Sequence, residues 1–243
     1  MQMNTDSNTT ISIRRAAERG TAEHGWLHAR FTFSFANYFD PDHMGFKSLR
    51  VMNNDTIEPG GGFPAHPHQD MEIFTYVIEG ELAHKDSMGN GSIIKAGDLQ
   101  YMSAGSGVTH SEFNPSDTNQ THLYQIWLHP EQSGGTPRYA EKPLGDEAKA
   151  NTLTLLFSPD GRDGSTAIRQ QAEIYFGKAD AGATLKLAGD ESAPHAWLQV
   201  IEGNVSAFGE DLSTGDGIAV ENFTDDLTIA AAADSKFLLF RLA

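Results

Sequence analysis

Residues 60–80 read GGGFPAHPHQDMEIFTYVIEG. Behind the glycines comes an extended stretch with His66 and His68 two residues apart, then a run of Ile, Phe, Thr, Tyr and Val that closes on Gly80. β-Branched and aromatic side chains suit a pleated, half-buried surface, and the glycine marks a turn. The run from Glu72 leads through a polar segment to a turn at Met88-Gly-Asn-Gly91 and on to Ser92–Asp98, which predicts a hairpin. The same texture of short apolar runs cut by Gly, Pro, Asn and Asp extends from Ile11 to Trp127. An all-β fold is expected.

From His129 to Asn151 the chain concentrates Gly, Pro and charge and loses that rhythm, which reads as a linker. Beyond it, residues 198–220 repeat the earlier layout of strand, Val-Ile-Glu-Gly, turn, strand, Gly-Asp, strand. Two copies of one β unit are therefore expected. The boundaries read from composition are a disordered polar tail over 1–10, a first domain over 11–135 and a second over 136–243.

Seventeen Lys and Arg against 33 Asp and Glu give 17 − 33 = −16, a surface that repels nucleic acid and anionic lipid. No cysteine is present, so any metal must be held by His and carboxylate groups. No stretch approaches the roughly 20 apolar residues of a membrane span, and the first ten residues lack a signal pattern. The expectation is a soluble, cytoplasmic protein, a monomer with no direct nucleic-acid or membrane partner.

Residues i and i+2 of an extended segment point to one side, so His66 and His68 would converge. About 40 residues later stands a second such pair, His110 and Glu112, inside Gly105-Ser-Gly-Val-Thr-His-Ser-Glu112. Ten histidines in 243 residues make about 0.4 H-x-H pairs expected by chance, so the first pair alone is weak. The second pair, the flanking glycines and the intervening hairpin give it force. Three nitrogens and one carboxylate oxygen suit a divalent transition metal (Fe(II), Mn, Ni, Cu or Zn) and leave positions open for other ligands. An uninterrupted strand would put Glu72 on the same face as His66 and His68, which makes it a rival fourth ligand.

Gly60-x5-His66-x-His68-x3-Glu72-x7-Gly80, then Gly97-x7-Gly105-x-Gly107-x2-His110-x3-Asn114, resemble the two cupin motifs. HGWLHARFTFSFANYFDP (24–41), FPAHPHQDMEIFTYVIEG (63–80) and AGSGVTHSEFNP (104–115) are similar to the pirin branch, particularly bacterial pirin-like proteins described as quercetin 2,3-dioxygenases. The resemblance implies two tandem jelly-roll-like cupin barrels, a bicupin, with one metal in the first, Fe(II) foremost. It selects His66, His68, His110 and Glu112 as ligands, with Glu112 also catalytic and Glu72 as the fallback. The sequence departs from the general cupin pattern at Gly105, where a proline is usual, and in a longer gap after Gly97.

The implied activity opens the ring of a flavonol such as quercetin with O2 and loss of CO. A metal-bearing regulator of transcription-related proteins is the alternative, and a cupin isomerase or sugar binder a third reading. His24, His28, His43, His84, His122, His129 and His195 are read as surface or hydrogen-bonded core groups, and the second unit as lacking a metal. The alternating Phe31, Phe33 and Phe35 suit a strand core, with a flat-ligand pocket as the lesser reading. Asp70 and Asp98 are read as turn or loop residues.

Overall fold

The computed structural model describes residues 9–144 and 148–243. Its regular structure is almost entirely strand, with single 3-10 turns at Ala16–Glu18 and Arg162–Gly164. The all-β expectation holds. In chain order the strands are β1 (Thr10–Arg14), β2 (Gly20–Glu23), β3 (Leu27–Phe31), β4 (Leu49–Ile57), β5 (Gly62–Glu79), β6 (Glu81–Asp86), β7 (Gly91–Lys95), β8 (Asp98–Phe113), β9 (Thr121–Leu128) and β10 (Arg138–Pro143). There follow β11 (Thr152–Ser158), β12 (Thr166–Ala167), β13 (Ala172–Ala179), β14 (Thr184–Leu187), β15 (His195–Glu202), β16 (Asn204–Ala207), β17 (Glu210–Ser213), β18 (Gly217–Glu221), β19 (Leu227–Ala231) and β20 (Ser235–Leu242). Among the described residues no helix is long and apolar enough to cross a membrane.

The chain forms two compact units, one over Arg19–Glu147 and the other over Ala148–Ala243 with the segment that ends at Glu18. The boundary expected at 135/136 thus falls at 147/148. Its physical reason is β10, which pairs antiparallel with β8 over Arg138↔Ser103 to Pro143↔Asp98. The charge and proline that read as a linker are those of a sheet edge, where they discourage further pairing. At the other end, residues 1–8 of the expected tail lie outside the described residues, and Thr10 already opens β1. That strand pairs with β18, Thr10↔Glu221 to Arg14↔Gly217, and so belongs to the second unit.

In the first unit β2, β3, β4, β9, β5 and β8 neighbour one another in that order, and β6 continues from β8 to β7. The turn at 88–91 joins β6 to β7, so the polar segment after Gly80 is itself the first arm of the hairpin, and the run from Glu72 pairs with β8 and β9 instead. In the second unit β15 sits between β18 and β20, as β5 sits between β8 and β9, and β16–β17 make the matching hairpin. The repeated layout is therefore a repeated topology.

Alternation supplies the core. In β3 Leu27, Ala29 and Phe31 point inward to meet Ile57, Val77, Leu82, Ile94 and Leu123. Each fully buried aliphatic side chain of this kind contributes about 1.5–3 kcal/mol relative to exposure. A second cluster of Ile73, Met102, Ala104 and Val108 lies on β5 and β8, with Met71 and Trp127 packed against it. The other unit has its own core, including Leu198, Val200, Ile218, Phe237 and Leu239.

Candidate metal centre

Strands β5 and β8 pair along most of their length, and His66 stands directly opposite His110, with His68 opposite Val108. Cross-strand partners share a face, so three imidazoles meet. Their ring centroids are 4.5 Å (His66 and His110), 4.8 Å (His66 and His68) and 4.8 Å (His68 and His110) apart. His110 Nε2 lies 3.0 Å from His66 Nε2 and 3.9 Å from Glu112 Oε2. Gly62 makes room for this meeting, because a Cβ there would stand 2.4 Å from the backbone oxygen of Glu112.

Glu72 does not join them. Between His68↔Val108 and Asp70↔Gly105 the register shifts by one residue, and both Asp70 (φ 68°) and Gly105 (φ 49°) adopt the left-handed region. This bulge inverts the alternation of β5, so that Met71, Ile73 and Thr75 face inward while Glu72 faces the opposite way. There the Glu72 carboxylate accepts hydrogen bonds from Tyr101 Oη and Ser103 Oγ, each 2.5 Å, fully buried. Burial first, and the neighbouring Glu72 second, push the Tyr101 hydroxyl up and keep it a donor. Asp70 is thus a strand residue at a bulge, its Oδ1 accepting from Gly134 N at 2.6 Å, and Asp98 opens β8. Gly105, where related motifs carry proline, needs φ > 0, which a proline ring forbids.

The remaining carboxyl, Glu112, is buried and held by amide and hydroxyl groups. Gln125 Nε2 donates to Glu112 Oε2 at 3.1 Å, and the Thr75 hydroxyl lies 3.4 Å from Oε1. Burial pushes Glu112 up to about 7, against the lowering effect of Gln125 and Thr75. Among the imidazoles, burial and then neighbouring histidines bring His68 down to about 4 and His110 to about 2. Both rings are therefore neutral near neutral pH, as metal ligation requires.

The group fits an ion. His66 Nδ1 donates to Pro64 O at 2.8 Å, which fixes its tautomer and leaves the Nε2 lone pair facing the cluster. Two Nε2 atoms 3.0 Å apart can share one proton at most. Both can also lie about 2.1 Å from a common point, the usual metal–imidazole distance.

Two residues near this centre carried no signal strong enough to single them out. His84, fully enclosed, has its ring centroid 5.3 Å from that of His110, and its Nε2 lies 3.2 Å from Asp86 Oδ2 while Gln100 Nε2 approaches Nδ1 at 2.9 Å. It is a hydrogen-bonded core group, and also forms a compact set with His110 and Glu112. The spacing His84-x-Asp86 was the available clue. Asp55 on β4 is the other, pushed up to about 7 by burial and then by the charge of Glu112. His195, in the second unit, opens β15 and accepts from Asn222 N at 3.3 Å.

A cavity of about 340 Å³ opens beside the centre, with Phe35, Phe63 and Trp127 on its apolar side and His66, His68 and Glu112 at the metal-competent end. Trp127 stands edge-on to His68 at 4.9 Å and to Phe35 at 5.5 Å. Of the three alternating phenylalanines, Phe35 lines this cavity, whereas Phe31 belongs to the core and Phe33 is buried.

Comparison with known proteins agrees with these features. Residues 12–128 match the Pirin family and residues 155–242 the Quercetinase C-terminal cupin domain. A quercetin 2,3-dioxygenase of Escherichia coli K12 is 49% identical over 239 residues, covering 96% of this chain and 98% of that one. A pirin-like protein of Caulobacter vibrioides is 41% identical over 225 residues, covering 90% and 94%. Among solved structures, the bacterial pirin YhhW of E. coli in complex with nickel(II) superposes with a TM-score of 0.91 at 47% identity, over 96% of this chain and 99% of that one.

Proposed function

Because this chain belongs to the pirin family of the cupin superfamily, we infer that it is a dioxygenase whose ion is held by His66, His68, His110 and Glu112. Its substrate on this reading is a flavonol such as quercetin, opened at the heterocycle by O2 with release of CO. The observation that carries the reading is the meeting of three imidazoles and one buried carboxyl at the end of an aromatic-walled cavity. The names of the relatives at 49% identity support the substrate class, and nickel in the related pirin structure supports a divalent ion. Fe(II) is the ion we assign first; Ni, Cu, Mn and Zn suit the same donors, with Cu and Ni favoured by raw affinity.

Bound there, the ion supplies a Lewis-acid centre for the substrate's 3-hydroxyl oxygen and open positions for O2. The chain supplies the rest. Phe35, Phe63 and Trp127 receive the flat ring system and displace water from it. Glu112 takes the 3-hydroxyl proton and can return it, while Gln125 and Thr75 keep its oxygens in place. His66, locked by Pro64 O, keeps its Nε2 turned to the centre.

The test is anaerobic reconstitution with Fe(II), followed by oxygen uptake and CO release with quercetin, on wild type and His66→Ala. The reading expects CO and oxygen uptake in equal amounts, dependent on metal and lost in the variant. Metal-loaded wild type that consumes no oxygen with quercetin contradicts it.

A further inference from the structure

The cavity has polar groups that the chemistry above leaves unused. On β4, Asn53 and Asp55 are two apart and face inward, across from Gln125 and Leu123 of β9. Both are nine-tenths or more buried, at 2% and 4% exposure. Yet Asn53 Oδ1 and Asp55 Oδ1 have no hydrogen-bond partner among the described residues, and neither does the indole Nε1 of Trp127 on the neighbouring strand. All three residues line the same cavity as His66, His68 and Glu112.

Buried polar atoms without partners are rare in folded proteins, because each one forfeits its bonds to water. One such atom calls for an explanation; three around one cavity share one. Their chemistry is also specific. Two oxygens accept hydrogen bonds and one N–H donates, beside an apolar side formed by Phe35 and Phe63. A hydroxyl on an aromatic ring is complementary to such a wall, since it can donate to Asn53 or Asp55 and accept from Trp127.

Resting on the flavonol reading and refining it, we propose that Asn53, Asp55 and Trp127 form a hydroxyl-reading wall that selects polyhydroxylated aromatic substrates and sets their orientation at the metal centre. The metal end recognises the 3-hydroxyl; the wall recognises the hydroxyls elsewhere on the rings. A site built to hydrogen-bond substrate hydroxyls discriminates strongly against an analogue that lacks them, because its own polar groups are then left unpaired.

The experiment is anaerobic equilibrium titration of the zinc-loaded full chain with quercetin and with 3-hydroxyflavone, followed by ligand absorbance and protein fluorescence. 3-Hydroxyflavone keeps the 3-hydroxyl and the adjacent carbonyl but lacks the other hydroxyls. Wild type, Asn53→Leu, Asp55→Leu and Trp127→Phe are compared, with zinc content and melting temperature recorded for each. The expected result is that wild type prefers quercetin by at least about tenfold, the worth of one well-made hydrogen bond. Each variant lowers that preference severalfold and keeps its zinc, and Asn53→Leu and Asp55→Leu leave 3-hydroxyflavone affinity within about twofold. Asn53→Leu and Asp55→Leu also melt no lower than wild type, since the Oδ1 atoms they remove have no hydrogen-bond partner among the described residues. Equal affinity of wild type for the two ligands, or variants that keep the full preference, overturns the wall and leaves the flavonol reading standing. Asn53→Leu or Asp55→Leu melting well below wild type also overturns it, because the group then serves the fold. Wild type that binds neither ligand defeats the flavonol reading and the wall with it.

Discussion

Replacing Glu72 by Ala separates the two carboxyls that the strand pattern left in competition. Glu72 accepts two short, charge-assisted hydrogen bonds from Tyr101 and Ser103 at a site with no exposure. Hydrogen bonds to a charged group contribute about 1.5–3 kcal/mol each, and the substitution also leaves two hydroxyls buried without that acceptor. Truncation is expected to cost about 3–5 kcal/mol, which at roughly 3 °C per kcal/mol lowers the melting of the first unit by about 9–15 °C. Metal content should remain at the wild-type level, because the bulge at Asp70 turns Glu72 away from His66 and His68. Glu112→Gln should do the reverse, weakening metal binding while stability changes little. Calorimetry and elemental analysis on the two variants give the answer. If Glu72→Ala loses metal and melts like wild type, the inverted alternation is refuted.

Gly105→Pro should destabilise the first unit by about 3 kcal/mol or more, since φ 49° is closed to proline, and the loss is read by thermal melting. Deleting residues 1–18 strips β1 from β18 and removes the Arg15 and Ala16 bonds to Asp216, both 2.8 Å, so the second unit should melt earlier and aggregate through the bared edge. Asp216 also predicts an acid dependence. Burial alone would raise its carboxyl, but the Ala16 N–H, Arg15 and the Ser213 N–H hold it below its ordinary 3.8. With the folded value depressed, its stabilisation is complete above the unfolded value and is lost as pH falls through the folded one. Asp216→Asn should therefore flatten stability against pH below about 4, as followed by denaturant melts across that range.

The sequence exposed the centre because strand parity is local: His66 with His68 and His110 with Glu112 need only two-residue spacing to share a face. The choice between Glu72 and Glu112 was not local. It depends on a bulge formed by Asp70 against Gly105, 35 residues away, and no spacing within β5 announces it. The same holds for β1, whose partner Gly217–Glu221 lies some two hundred residues along the chain. β10 was hidden for a different reason, since the charges and proline that protect a sheet edge are also those of a linker. Nothing in the spacing of Asn53 and Asp55 marks them out; it is the cavity that shows them buried, each with an Oδ1 that has no hydrogen-bond partner among the described residues.

The most direct test of the centre is a metal-binding titration of the untagged protein against a competing chelator, with wild type, His66→Ala, His68→Ala, His110→Ala and Glu112→Gln compared. The account predicts one tightly bound divalent ion per wild-type chain and affinity reduced at least about tenfold in every variant. A wild-type chain that binds no ion, or four variants that bind as wild type does, would contradict it.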